Sequence, residues 1–196
     1  DKRTNNVYSG LNAFADNGEA GNCFMHTAPY GDFTAFSSGS GLTVEILENN
    51  ILKGVLSVKQ TFFVPAGLAS NGLGRSESRV ELTLTSKLIL KKGCPYLEFE
   101  TEIVNCAKDH RLRVTFPSDI ETDVCYAGQP FDVVTRPIQP ENVNHYGDGD
   151  YEALVGYHPM ESFCGISVMG RGFTVASDEV MEYEVLPMRN TVCLTL

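Results

Sequence analysis

The sequence holds no tryptophan, and its basic residues are scarce: 15 Lys and Arg stand against 25 Asp and Glu, for a formal net charge of −10. So acidic a chain cannot neutralise a phosphate backbone, which excludes nucleic acid as its ordinary partner. No apolar run is long enough to span a bilayer, and the opening residues carry no leader pattern of positive charge followed by an apolar core. The acidity is ordinary for a soluble cytoplasmic protein, whereas a leader on a longer parent chain would not be visible here. The paired-thiol and paired-histidine signatures of metal sites are missing as well. There is no CxxC among the six cysteines and no HExxH among the four histidines, so no zinc site is expected within the chain itself. A nucleophile elbow of the GxSxG kind is also absent. The start at DKRTNNVY and the stop at VCLTL, both in strand-like sequence, suggest a piece of a longer polypeptide.

What is present is strand. Hydrophobic residues make up 42% of 196, enough for one sizeable core and one domain, residues 1–196. Leu97, Phe99, Thr101 and Ile103 alternate with Glu98, Glu100 and Glu102, and Val80, Leu82 and Leu84 alternate with Glu81, Thr83 and Thr85. That is the period of a sheet with one wet face, with Leu97, Phe99 and Ile103 expected inward. The step KKGCP between these runs is a turn, with Gly93 free to take positive φ, so residues 78–104 are predicted as a long antiparallel hairpin. Asn49-Asn50 marks another hairpin between TVEILE and ILKGVLSVKQTFFVP. FCGISVMG, GFTVAS, VMEYEVLP and TVCLTL follow as short strands. No amphipathic helix of three turns is evident. The fold class is all-β and mostly antiparallel. Ser37–Gly41, Pro65–Ser78 and the stretch from Pro137 to about Tyr157 are predicted as loops.

The chemistry-bearing residues form no self-contained catalytic set. Asp148-Gly149-Asp150 lacks the ligand spacing of a calcium loop and is expected to be a turn. The Asp109 side chain is expected to cap a turn, with His110 starting a strand. Glu98, Glu100 and Glu102 are read as a solvated strand face rather than a glycosidase pair. Cys23, Cys94, Cys106, Cys125, Cys164 and Cys193 are expected to be free thiols, with Cys106 and Cys193 packed as small hydrophobes.

The order of segments resembles the C-terminal β-domain of glycoside hydrolase family 38, the α-mannosidase family, in its bacterial and cytosolic branch. DKRTNNVYSGLNAFADNGEAGNCFMHTAP is similar to a DK-T-G strand followed by a Gly-Asp-rich turn and an aromatic-x-aromatic-x-x-Pro run. NCAKDHRLRV is the most specific block. FDVVTRP, HPMESF, GISVMGRGFTVAS and TVCLTL follow in the family's order. The resemblance implies a β-supersandwich like that of galactose mutarotase. It also implies a non-catalytic domain that supports retaining hydrolysis of α-mannosides by the catalytic domain of the same polypeptide. That domain would carry the Asp nucleophile and the zinc, so the chain itself would supply no catalytic residue, bind no metal and be inactive alone.

The resemblance also implies substrate-binding positions at the rim of the sugar pocket. Arg136 matches a family arginine that reaches the pocket, where a guanidinium fork suits sugar hydroxyls or a carboxylate. Phe24 stands where the family has a substrate-contacting tyrosine, and His26 where the bacterial branch often has a second. Two other functions compete. A free-standing carbohydrate-binding module would need an exposed aromatic platform, for which the lack of tryptophan is unfavourable. A mutarotase-like epimerase would need a His and a Glu facing one pocket, for which His158 and Glu161 are the candidates.

Overall fold

A computed structural model of the chain describes residues 1–2, 5–22, 26–37, 41–139 and 156–196. The architecture is all-β with antiparallel sheets, as the alternation predicts. Among the described residues the only helical element is the 3-10 turn Met188–Asn190. The contacts fall into two compact units: Asp1–Ala13 with Arg113–Leu196, and Phe14–Leu112. Both boundaries lie inside strands, β1 (Ala13–Gly18) and β7 (His110–Pro117). No linker composition separates the units, so the sequence shows no composition shift there.

The unit Phe14–Leu112 is built on a sheet in the order β3-β4-β5-β6, comprising β3 (Leu42–Asn49), β4 (Lys53–Pro65), β5 (Arg79–Lys91) and β6 (Glu98–Val104). Strands β4 and β5 pair in unbroken register from Lys53↔Lys91 to Pro65↔Arg79. Both predicted hairpins are present. The β3–β4 turn is held by Asn50, whose Oδ1 accepts the amides of Leu52 at 2.8 Å and Lys53 at 2.9 Å. The β5–β6 turn places Gly93 at φ +78°, a conformation that a Cβ would oppose. Phe14, Phe62, Val64, Leu82 and Leu84 form the buried core, and β1 pairs with the short β2 (Ala35–Phe36).

The inward placement expected on β6 needs correction. Leu97 precedes the strand and is 37% exposed, while Phe99 and Ile103 are only half-buried. Strand β6 is the sheet's edge, so alternation selects the face correctly but cannot supply a layer to cover it.

In the other unit β7 continues a run of strands β10 (Tyr157–Pro159), β13 (Glu182–Leu186) and β14 (Thr191–Thr195), ordered β10-β13-β14-β7. A second sheet runs β12 (Arg171–Ala176), β11 (Phe163–Val168), β8 (Val124–Gln129), β9 (Asp132–Pro137). Its core includes Phe116, Ala127, Ile166, Tyr183, Val185, Val192 and Leu194.

Cys94, Cys106, Cys125, Cys164 and Cys193 are free thiols, and Cys125, Cys164 and Cys193 are buried. Cys106 departs from expectation: it is exposed, just past the end of β6, where the strand's apolar alternation no longer governs. Cys23, His145 and Asp148-Gly149-Asp150 lie outside the described residues.

Candidate functional site

Arg136 is the penultimate residue of β9, opposite Cys125 on β8. Antiparallel pairing directs alternate side chains to one face. On that face Arg136 meets Tyr183, a fully buried residue of β13. Arg136 Nη1 donates to Tyr183 Oη at 3.3 Å. Cys125 Sγ lies 3.9 Å from the same hydroxyl and donates to the Arg136 carbonyl at 3.6 Å. His158 stands directly across from Tyr183 in the β10–β13 register, with ring centroids 6.0 Å apart. The next residue on β13, Glu184, accepts a 2.6 Å hydrogen bond from Arg113 Nη1.

The electrostatics of this cluster follow from burial around a fixed cation. Burial raises the Tyr183 phenol to about 12, with Cys125 adding to the effect and Arg136 opposing it. Burial also pushes up the Cys125 thiol, against the hydrogen bond to Tyr183 and the charge of Arg136. His158 is held below its ordinary value by burial and then by Arg136, against Glu184. At neutral pH the tyrosine, the thiol and the imidazole are therefore uncharged, and Arg136 stands among them as a permanent cation. The group suits recognition of hydroxyls or of an anion rather than proton transfer. Glu161, the proposed partner of His158, is exposed, and its backbone amide is bound to the Gly128 carbonyl.

His26 belongs to the other unit. Its Nδ1 lies 2.5 Å from Glu19 Oε2, while Glu19 Oε1 accepts the amides of Gly21 at 2.7 Å and Thr27 at 2.9 Å. One carboxylate thus pins both ends of the turn that carries His26. Burial works to raise the Glu19 pKa, but the Thr27 amide, His26 and the Gly21 amide together hold it below the usual value. Phe24 lies outside the described residues.

The same unit holds a buried polar network that the sequence does not announce. Asp16, with no exposed side-chain surface, pairs with Arg75 and lies 2.5 Å from His110 Nδ1. Arg75 also approaches Asp32 at 4.0 Å and covers the Phe33 ring at 5.4 Å from its centroid. Asp32 accepts the Gly18 amide at 3.0 Å and Asn17 Nδ2 at 3.3 Å. Gly18 has no room for a side chain, since a Cβ would meet Pro29 Cγ at 2.5 Å. His110 opens β7, as expected from the sequence, and Asp109 before it has φ +47° in a bend, its carbonyl accepting the Glu19 amide at 2.9 Å.

Sequence reasoning named Arg136 and His26 but missed the groups that hold them. Tyr183 was within reach: in Glu182-Tyr183-Glu184-Val185 it shares the inward phase with Val185, and a buried phenol needs a partner for its hydroxyl. Asp16 and Arg75 carried no local signal. Among the described residues no group of three or more His, Cys, Asp and Glu side chains could hold a metal ion.

The chain as a whole is similar to known proteins. The family model described as "Glycosyl hydrolases family 38 C-terminal domain" matches residues 12–196. A putative mannosylglycerate hydrolase of Halalkalibacterium halodurans is 28% identical over 100% of this chain and 22% of its own length. An α-mannosidase from Enterococcus faecalis superposes with a TM-score of 0.90 at 28% identity, covering 100% of this chain and 23% of that one. A glycosyl hydrolase family 38 protein from the same organism superposes with a TM-score of 0.86, also at 28% identity and with the same coverage.

Proposed function

Since the chain belongs to the family of glycosyl hydrolase family 38 C-terminal domains, we propose that it serves as the non-catalytic part of an enzyme that hydrolyses α-mannosides with retention. In this role it supports a catalytic domain of the same polypeptide and lends side chains to the edge of the sugar site. The observation that carries the proposal is the family match across residues 12–196 of a chain that spans only 22% of its relative from Halalkalibacterium halodurans. Zinc and the nucleophile would belong to the rest of the polypeptide, and a cytoplasmic setting fits the acidic composition.

Within the chain, Arg136 is the first residue to test. It is half-buried at the end of β9, and Tyr183 fixes one of its nitrogens. A guanidinium held in this way loses little freedom when its remaining donors meet a sugar hydroxyl or a carboxylate. His26, held by Glu19, would contribute ring surface, and the resemblance gives Phe24 the same role.

The test uses the full-length polypeptide and a chromogenic α-mannoside. Arg136→Ala should lower kcat/KM by about 2–3 kcal/mol of transition-state stabilisation, the range for losing a charge-assisted contact. It should also cost about 1 kcal/mol of stability, the worth of the hydrogen bond to Tyr183. Tyr183→Phe removes that same bond and keeps the guanidinium. Equal activity losses in the two variants would reduce Arg136 to a structural role, and no hydrolysis by the parent would end the α-mannosidase assignment.

A further inference from the structure

The sheet β3-β4-β5-β6 has two unlike faces, and the pairing registers assign each residue to one of them. Ile46, Leu56, Leu88 and Phe99 lie in one cross-strand row; Val44, Val58, Ser86 and Thr101 form the next; Leu42, Gln60, Leu84 and Ile103 form a third; and Leu90 lies opposite Gly54. No charged residue occurs on this face. The opposite face carries Glu45, Lys59, Lys87, Lys91, Glu98, Glu100 and Glu102, with Lys87 paired to Glu100 at 3.3 Å and Lys91 to Glu98 at 2.8 Å.

At the end of the sheet near Phe62 and Leu82 the apolar face is buried as core. Along the edge strand β3, and toward the β3–β4 turn on its neighbours, the cover runs out. Leu42 is 58% exposed, Val44 53%, Ile46 65%, Leu56 39% and Leu90 57%. A contiguous, uncharged, aliphatic sheet face of this kind is rarely left to water, whereas the face behind it carries the charges and buries its aliphatic pair Val55 and Ile89. Strand β3 is also an edge, with backbone groups open to a neighbour.

We propose that this face, centred on Val44, Ile46, Leu56 and Leu90, is where the domain is seated against an apolar surface of another domain of its own polypeptide. The proposal rests on the reading of the chain as one domain of a larger enzyme. It commits to that occupant because the relatives that the chain matches are more than three-quarters other polypeptide: the chain accounts for 22% of one and 23% of another. A tethered domain meets the face at an effective concentration that a second copy of the chain does not reach. The bound surface would be aliphatic and uncharged where it lies on the strands.

Cysteine footprinting in the full-length polypeptide tests this. Val44→Cys and Ile46→Cys probe the apolar face, and Glu45→Cys probes the charged face between them. Each is labelled with a maleimide, and the signal of the unsubstituted protein, which includes exposed Cys106, is subtracted. Labelling of Val44→Cys and Ile46→Cys at least tenfold slower than Glu45→Cys, independent of protein concentration, is the expected result. Equal rates on both faces overturn the proposal. Protection that disappears on dilution also overturns it, because the occupant would then be a second copy. Hydrolysis of an α-mannoside by the same variants is scored separately, so the activity assignment and the docking face fail by different measurements.

Discussion

Removing the Asp16 carboxylate tests the buried network where its cost is greatest. Asp16 has 0% side-chain exposure, and its partners Arg75 and His110 have 3% and 6%. In Asp16→Ala the Arg75 guanidinium stays buried without its main counter-ion, since Asp32 is 4.0 Å away. Stranding a buried charge by deleting its partner costs about 3–5 kcal/mol. For a chain of this length about 2–4 °C of Tm is lost per kcal/mol, so a fall of roughly 6–20 °C is expected. Asp119→Ala is the control. It removes an equally close bidentate partner of an arginine, Arg189, but those side chains are 50% and 42% exposed, and solvent replaces the interaction. Thermal and urea unfolding followed by circular dichroism at neutral pH measure both variants. The double variant Asp16→Ala/Arg75→Met should recover part of the loss, because it removes the stranded charge along with its partner. A loss below about 1 kcal/mol for Asp16→Ala, or no recovery in the double variant, would refute the assignment of the cost to an uncompensated buried cation.

Two further outcomes are expected. Glu19 has a folded pKa below its ordinary 4.5, so the stability it contributes is present above 4.5 and is lost as pH falls through the lower folded value. Urea titrations from about pH 6 to about pH 3 should show the parent losing more stability over that window than Glu19→Gln, and parallel curves would remove Glu19 from the account. Native thiol labelling should reach exposed Cys106 first, while Cys125, Cys164 and Cys193 stay protected by burial. Full denaturation without reductant should then release all six cysteines of the sequence, and a shortfall of two would mean a disulfide.

Local structure was legible in the chain before any fold was known: the strands, their turns and the face each residue takes. Val80, Leu82 and Leu84 against Glu81, Thr83 and Thr85 already specify one sheet face, because side chains alternate along any strand wherever it is placed. Asn50 and Gly93 specify the turns by chemistry confined to neighbouring residues. Arg136 and His26 were named through resemblance to a family, since neither stands in a motif that spacing alone would single out.

Whether a face is covered is a tertiary question, and alternation cannot answer it. Phe99 and Ile103 point the right way, yet lie on an edge strand and remain half-buried. The partners of the polar groups are tertiary as well. Asp16 meets Arg75 and His110 across separations of 59 and 94 residues, and Arg136 meets Tyr183 across 47. A buried charge finds its counter-ion through the folded backbone, and the low dielectric that gives the pairing its energetic weight exists only after the chain has folded.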